Sequence, residues 1–364
     1  MIEKNLEDVV SWYLRMRPVY KNLASKVESI IREVLNNSGV NYYTITSRAK
    51  EIESFSNKAN KEKYKNPQQE IKDLAGIRVI TYVKSEVNQC CEIIKPLFEI
   101  DQVHSVDKTK ELGSDKVGYR SIHYVAKLTD DRLGLPEYQV FKDLNFEIQV
   151  RTILEHAWAD ISHDRNYKFN GVLPPDNDIQ RRFSLAAATL ELVDREFDNL
   201  AKELIMYDNK VKDQVENDDL SIEVNTTSLR NYLNMKFKLY IDSGAIGTTF
   251  NKGSKRIVRE LKAFGVKDLN DLDRIIKEDV DKYIYEETNF LGLLRDIMMI
   301  NNIELYFEEV WERDWTGMDK DQVEYYRELG IDIDSIIDEY NLNVDDGSSE
   351  KKEDEDYLFE DEVS

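Results

Sequence analysis

Cysteine is nearly missing from this 364-residue chain: Cys90 and Cys91 are all it has, and adjacent residues cannot form an ordinary structural bridge. Nothing therefore implies an oxidising compartment, and the chain is read as cytoplasmic. Long apolar runs are absent too. The best candidate, Asn289 to Ile300, is too short to span a bilayer and contains Arg295 and Asp296. The first residues, with Glu3, Glu7 and Asp8, do not read as a secretory leader. Positive charge is in deficit, with 50 Lys and Arg against 72 Asp and Glu for a net of -22. That balance argues against a protein that coats nucleic acid through surplus cations, while leaving room for a local basic cleft. What remains is 41% hydrophobic, enough for a sizeable core and for two domains.

Apolar spacing predicts an N-terminal helix from Leu6 to about Leu35, with Pro18 as a break. A short β-rich run, Tyr42 to Thr46, leads into a basic segment, Arg48 to Lys65, whose composition favours helix. Ile77 to Val83 is a nearly continuous β-branched run that reads as a buried strand, followed by a helix from Glu86 to Phe98. Further strands are expected at Ile100–Val106, Ser121–Leu128 and Asn145–Val150. In the last of these Phe146, Ile148 and Val150 alternate with Glu147 and Gln149, so two polar side chains share one face of an interior strand. Helices follow at Ile153–His163 and Asp178–Asp213. The fold class is α/β in the α+β sense: a mixed five-stranded sheet flanked by helices.

A shift in composition near Gln214 to Asp219 marks a boundary. The domains are read as 1–213, then a mostly helical accessory module over 220–343, then a disordered acidic tail over 344–364. Within the module, Leu261 to Leu269 and Arg327 to Ile333 look alike: each is a helix end with glycine followed by another helix.

Four constellations bear on chemistry. On a helix beginning near Arg48, the residues Lys50, Ser54 and Lys58 recur every four positions, a stripe that suits either a polyphosphate or a solvated face. Asp73, in DLAGIR ahead of the strand, suits either Mg²⁺ or a turn cap, and Arg78 beside it can stack on a base or neutralise phosphate. GYRSIH, from Gly118 to His123, joins a permissive glycine to the flat face of Tyr119 and the polar groups of Arg120 and His123; its alternative is a glycine turn with a packed tyrosine. Glu147 in FEIQVRT carries the strongest signal, because a carboxylate on a core strand needs a partner or a purpose.

Taken in order, Arg48-x-Lys50-x3-Ser54-x3-Lys58, DLAGIR, GYRSIH and FEIQVRT, then EHAWADISHD from Glu155 to Asp164 with Tyr167 and Lys168, closely resemble the synthetase domain of the RelA/SpoT family over about Leu35 to Lys168. The resemblance implies a nucleotidyltransferase-like core and a pyrophosphokinase that moves pyrophosphate from ATP to the 3′-hydroxyl of GDP or GTP, making (p)ppGpp and releasing AMP. By position it implies that Arg48 and Arg78 sandwich the adenine of ATP and that Lys50, Ser54 and Lys58 hold its phosphates. Asp73 and Glu147 would coordinate Mg²⁺, with Glu147 also drawing the proton from the attacking hydroxyl. Tyr119 would stack on the acceptor base, with His123, Gln149, Lys116 and Arg120 near the acceptor.

The chain departs from the family at Asp115, where guanine-specific members usually place a lysine three residues before the glycine of the GY pair; here the lysine is Lys116. The four histidines, His104, His123, His156 and His163, all lie within the synthetase-like region, so the His/Asp ligand set of the hydrolase domain of long members has no counterpart ahead of it. His156 and His163 read as helix packing or support for the site. Two rival readings stay open. One is a toxic branch of the family that pyrophosphorylates the tRNA 3′ end or makes adenine alarmones, restrained by a C-terminal module that senses a protein effector. The other is a non-catalytic nucleotide-binding scaffold. A homo-oligomer is compatible with each.

Overall fold

The structure, a computed structural model, describes residues 6–107, 121–168, 178–248, 250, 253–276, 283–284, 288–313 and 315–345, with the side chains of 163–168 and 180 outside that description. Two compact units divide the chain, Met1–Glu203 and Leu204–Ser364.

In the first unit, helix α1 (Leu6–Asn37) buries Tyr13, Tyr20, Leu23, Val27 and Ile31 along one face. Contrary to expectation, Pro18 does not break it. The proline sits on the exposed side, and the carbonyl that loses its amide partner belongs to exposed Leu14, where water can satisfy it. Buried residues before and after the proline hold both halves to the same core.

Strands β1 (Thr44–Ala49), β2 (Ala75–Thr81), β3 (Glu99–Asp107), β4 (Ile122–Lys127) and β5 (Phe146–Thr152) form the mixed five-stranded sheet, in the order β1-β2-β5-β4-β3. Only β2 and β5 run parallel. Helix α2 (Ile52–Ala59) follows β1, and α3 (Lys84–Ile94) follows β2 before a 3₁₀ turn over Lys95–Leu97 ends the helix earlier than expected, at a proline. Helices α4 (Ile153–Lys168) and α5 (Asp178–Glu216) complete this part of the chain.

Ile45, Ile77, Val79, Ile148 and Val150 join Leu23, Val27, Ile31, Val87 and Ile94 in one core, so α1 and α3 cover one face of the sheet. The period-2 alternation of β2 and β5 therefore turns Gly76, Arg78, Glu147 and Gln149 to the other face. Cys90 and Cys91 are free and buried within α3, and burial pushes the Cys90 thiol up to about 12, so it stays protonated.

The second unit has its own core, in which Val211 and Val215 from the end of α5 cluster with Tyr232, Phe237, Leu261, Phe290 and Tyr326. Its longer helices are α6 (Thr226–Lys236), α7 (Ser254–Ala263), α8 (Leu269–Ile275), α9 (Phe290–Asn301), α10 (Lys320–Glu328) and α11 (Ile333–Tyr340). Short parallel pairs accompany them, β6 (Ile246–Gly247) with β7 (Thr288–Asn289) and β8 (Gly317–Asp319) with β9 (Asn343–Asp345). The two look-alike phrases close alike. Gly265 and Gly330 adopt φ of +99° and +74° after α7 and α10, and the next residue's amide donates back to the carbonyls of Leu261 and Tyr326.

Among the described residues no helix is long and apolar enough to cross a membrane.

Candidate active site

Strand register assembles the site in two rows across the exposed face of the sheet. Arg48, Gly76, Glu147 and Val125 are successive partners in β1, β2, β5 and β4. Beside them run Thr46, Arg78, Gln149 and His123. The expected helix beginning near Arg48 is not formed: Arg48 belongs to β1, where it pairs with Gly76, and the helix starts only at Ile52. Edge pairing to β2 satisfies the backbone here and overrides the helical preference of the segment.

Lys50 lies in the turn between strand and helix. Its amide donates to the Leu74 carbonyl, and its own carbonyl accepts from the Tyr13 hydroxyl at 2.7 Å and from Arg17 Nε at 3.2 Å. Helix α1 thus holds the Lys50 backbone in place. The side chains of Lys50 and Lys58 converge on one atom, each ammonium 2.8 Å from Asp73 Oδ2. Ser54 is on α2, one turn before Lys58, but is exposed and does not line the cleft.

A cleft of about 270 Å³ opens over these rows, lined among others by Arg48, Lys50, Asp73, Arg78, Glu147 and Gln149. Asp73 and Glu147 keep 23% and 18% of their side-chain surface, so both are recessed yet reachable. Burial alone would raise the Asp73 pKa, but the ammonium groups of Lys50 and Lys58 outweigh it and hold the carboxyl below its usual range. For Lys58 the balance mirrors this: burial disfavours the cation, and Asp73 more than restores it, raising its pKa.

Glu147 faces the same opposition. Burial pushes its pKa up, and hydrogen bonds from His123 and Gln149 bring it below the ordinary value. His123 Nδ1 lies 2.8 Å from Oε1 and Gln149 Nε2 donates to Oε2 at 2.8 Å. A carboxylate only accepts, so Nδ1 carries the proton, while Nε2 lies 2.5 Å from the buried Ser121 hydroxyl.

At the end of β5, Arg151 NH2 lies 2.7 Å from His156 Nδ1, which makes His156 a support for the strand end. Lys84 reaches Glu155 at 3.0 Å, and Thr152 Oγ1 donates to Asp194 of α5 at 3.1 Å.

Of the residues the sequence singled out, Arg48, Lys50, Asp73, Arg78, Glu147 and Gln149 line the cleft, while Lys58 and His123 reach it through the two acids. Lys116, Tyr119 and Arg120 lie outside the described residues, as do Asp115 and the side chains of His163, Asp164, Tyr167 and Lys168. Thr46, Gly76, Ser121, Tyr13 and Arg17 were not foreseen. For Gly76 a signal existed, since glycine inside a strand often marks a close approach to backbone or ligand. The others depend on pairing that no local pattern reveals.

Asp73 Oδ1 is buried and has no hydrogen-bond partner, because both lysines bind the other oxygen. Two carboxylates that act on one another electrostatically, one with an idle oxygen, fit a hard divalent cation. Among the described residues there is no group of three or more His, Cys, Asp or Glu that could hold a metal ion.

A recessed, acid-and-lysine cleft on the open face of a mixed sheet, walled by two arginines, has the charges that suit a phosphate ligand. The region found in RelA/SpoT proteins matches residues 47–172, the stretch that contains both acids and both lysines. GTP pyrophosphokinase YjbM of Bacillus subtilis is 28% identical over 166 residues, 44% of this chain and 72% of that protein. GTP pyrophosphokinase YwaC of the same organism is 29% identical over 132 residues, 35% of this chain and 60% of that protein. The crystal structure of small alarmone synthetase 1 from Bacillus subtilis aligns over 54% of this chain and 98% of its own, at 21% identity and a TM-score of 0.45. The chain carries a RelA/SpoT-family synthetase domain.

Proposed function

We propose that this chain is an ATP-dependent pyrophosphokinase that transfers the β,γ-pyrophosphate of ATP to the 3′-hydroxyl of GDP or GTP and releases AMP. The observation that carries this reading is the opening of Asp73 and Glu147 onto one cleft, with Asp73 Oδ1 left unpaired beside Lys50 and Lys58. The names of the two Bacillus relatives support the same reaction class.

In this reading Arg48 and Arg78, in adjacent rows of the paired strands β1 and β2, enclose the adenine, since a guanidinium plane stacks well on an aromatic ring. Each lysine ammonium has three donors, and only one is needed for Asp73, so both can also bind phosphate oxygens. Asp73 and Glu147 would hold Mg²⁺, which neutralises charge on the non-bridging oxygens. The acceptor oxygen attacks the β-phosphorus, the bond to the α-phosphate oxygen breaks, and AMP leaves with that electron pair. Glu147, kept ionised by His123 and Gln149, takes the hydroxyl proton, a contribution of about 10² to 10⁴ in rate. Charge stabilisation by Lys50, Lys58 and the arginines supplies the larger share, as phosphoryl transfers demand.

Incubation with β-labelled ATP and either GDP, GTP or bulk tRNA tests the reading. Label in a guanosine 3′-pyrophosphate supports it, and label in tRNA alone overturns the acceptor assignment while leaving the donor chemistry intact. The tRNA-directed reading with a restraining module draws on one observation, the separate core of the second unit. No transfer to any acceptor, with nucleotide binding retained, would favour a scaffold.

A further inference from the structure

Two ammonium groups, each 2.8 Å from the same oxygen of Asp73, repel one another, and side chains as flexible as lysine keep that arrangement only where their backbones are fixed. Local structure does not fix them. Lys50 lies in the turn after β1, and α2, which carries Lys58, is eight residues long with no side-chain hydrogen bond from its N-cap Glu51. A helix that short does not persist on its own propensity and takes its place from tertiary packing.

One residue of α1 holds both backbones. Tyr13 is fully buried, and its hydroxyl donates to the Lys50 carbonyl at 2.7 Å. Its ring stacks on Phe55, the buried residue of α2 three positions before Lys58, with centroids 4.2 Å apart and 27° between the planes. Arg17, one turn further along α1, supports the same turn: its Nε donates to the Lys50 carbonyl at 3.2 Å and its NH2 pairs with Glu51 at 2.8 Å. Burial pushes the Tyr13 hydroxyl well above its ordinary pKa, so it stays a donor. Tyr20 provides the contrast. It is buried on the same helix and its ring lies 6.3 Å from that of Tyr13, yet among the described residues its hydroxyl makes no hydrogen bond to the Lys50 turn. Core packing at position 13 calls for an aromatic ring, which phenylalanine would supply; the hydroxyl serves the turn that carries Lys50.

We infer that Tyr13 is a positioning residue of the cleft: from inside the core it sets where Lys50 and Lys58 present their ammonium groups, and so governs the affinity of the cleft for a polyphosphate chain that it never touches. Tyr13 is absent from the cleft lining and reaches the site only through the backbone of Lys50 and the ring of Phe55. The inference rests on the phosphate-binding role proposed above for the two lysines. It separates the polyphosphate from the base, because the arginines assigned to the adenine lie on β1 and β2 and owe their placement to sheet pairing.

The test uses the full chain and three probes: a non-hydrolysable ATP analogue, inorganic tripolyphosphate and adenosine, each titrated into the wild type and into Tyr13→Phe. The variant keeps the stacked ring, and the Lys50 carbonyl keeps its bond from Arg17, so the fold should survive. The ATP analogue and tripolyphosphate are expected to bind about three- to tenfold more weakly, the worth of one hydrogen bond, while adenosine changes by less than about twofold. Tyr20→Phe, which also removes a buried hydroxyl from α1, should leave all three affinities unchanged. Should Tyr13→Phe fail to fold, Phe55→Leu, which removes the stack and keeps an apolar side chain, must give the same pattern. Unchanged tripolyphosphate affinity in a folded variant overturns the proposal, as does a loss shared equally by adenosine, or the same loss in Tyr20→Phe. A wild type that binds neither phosphate probe overturns the reading of the cleft and this inference with it, a result distinct from a wild type that binds and a variant that binds equally well.

Discussion

Gly76 is paired with Glu147 across the parallel junction of β2 and β5, and on its other side with Arg48 of β1, so the site's acid and one of its arginines are separated by a residue without a side chain. A Cβ built at Gly76 meets nothing nearer than the Arg48 carbonyl at 4.0 Å. The space above it belongs to the cleft.

Gly76→Val should therefore fold, because its backbone needs no left-handed conformation, but should fill the floor of the cleft. We expect KM for ATP to rise at least about tenfold with Tm changed by no more than a few degrees. Unchanged nucleotide affinity in a folded variant would remove the cleft from the site.

Glu147→Gln keeps the size of the side chain and removes its charge and basicity. Loss of roughly 10² to 10⁴ in kcat is expected, with ATP binding by calorimetry changed far less. A silent substitution would identify the chain as a scaffold.

The two residues of the basic stripe on α2 should separate. Lys58→Met removes one of the two cations on Asp73 and should weaken ATP binding about tenfold or more, whereas Ser54→Ala, at an exposed position outside the cleft lining, should change it less than about threefold. Equal effects in direct binding measurements would show that the phosphates run along the helix face rather than over the sheet.

Asp194 offers a pH-dependent stability test. Burial, reinforced by Glu155, raises its carboxyl to about 6 in the folded protein. A folded state that holds a proton more tightly than the unfolded chain loses stability as pH rises from about 4 through about 6, then levels off. Asp194→Asn should remove this loss. A Tm gain of a few degrees at pH 7.5 and none at pH 4.5 is expected by calorimetry. An equal shift at both values would refute the assignment.

Local pattern alone determined much of this protein. The alternation of Phe146, Ile148 and Val150 with Glu147 and Gln149 was enough to put two polar side chains on one strand face, because the period of a strand is independent of its neighbours. The β-branched run after DLAGIR and the glycines closing two helices were legible for the same reason. Only the tertiary structure decided which residues would meet. It drew Arg48 out of a helical segment into an edge strand, kept α1 continuous through Pro18, and brought Lys50 and Lys58 to one oxygen of Asp73, residues 23 and 15 positions away. Such partnerships depend on sheet register and on burial supplied by distant segments, and no short window of sequence contains either.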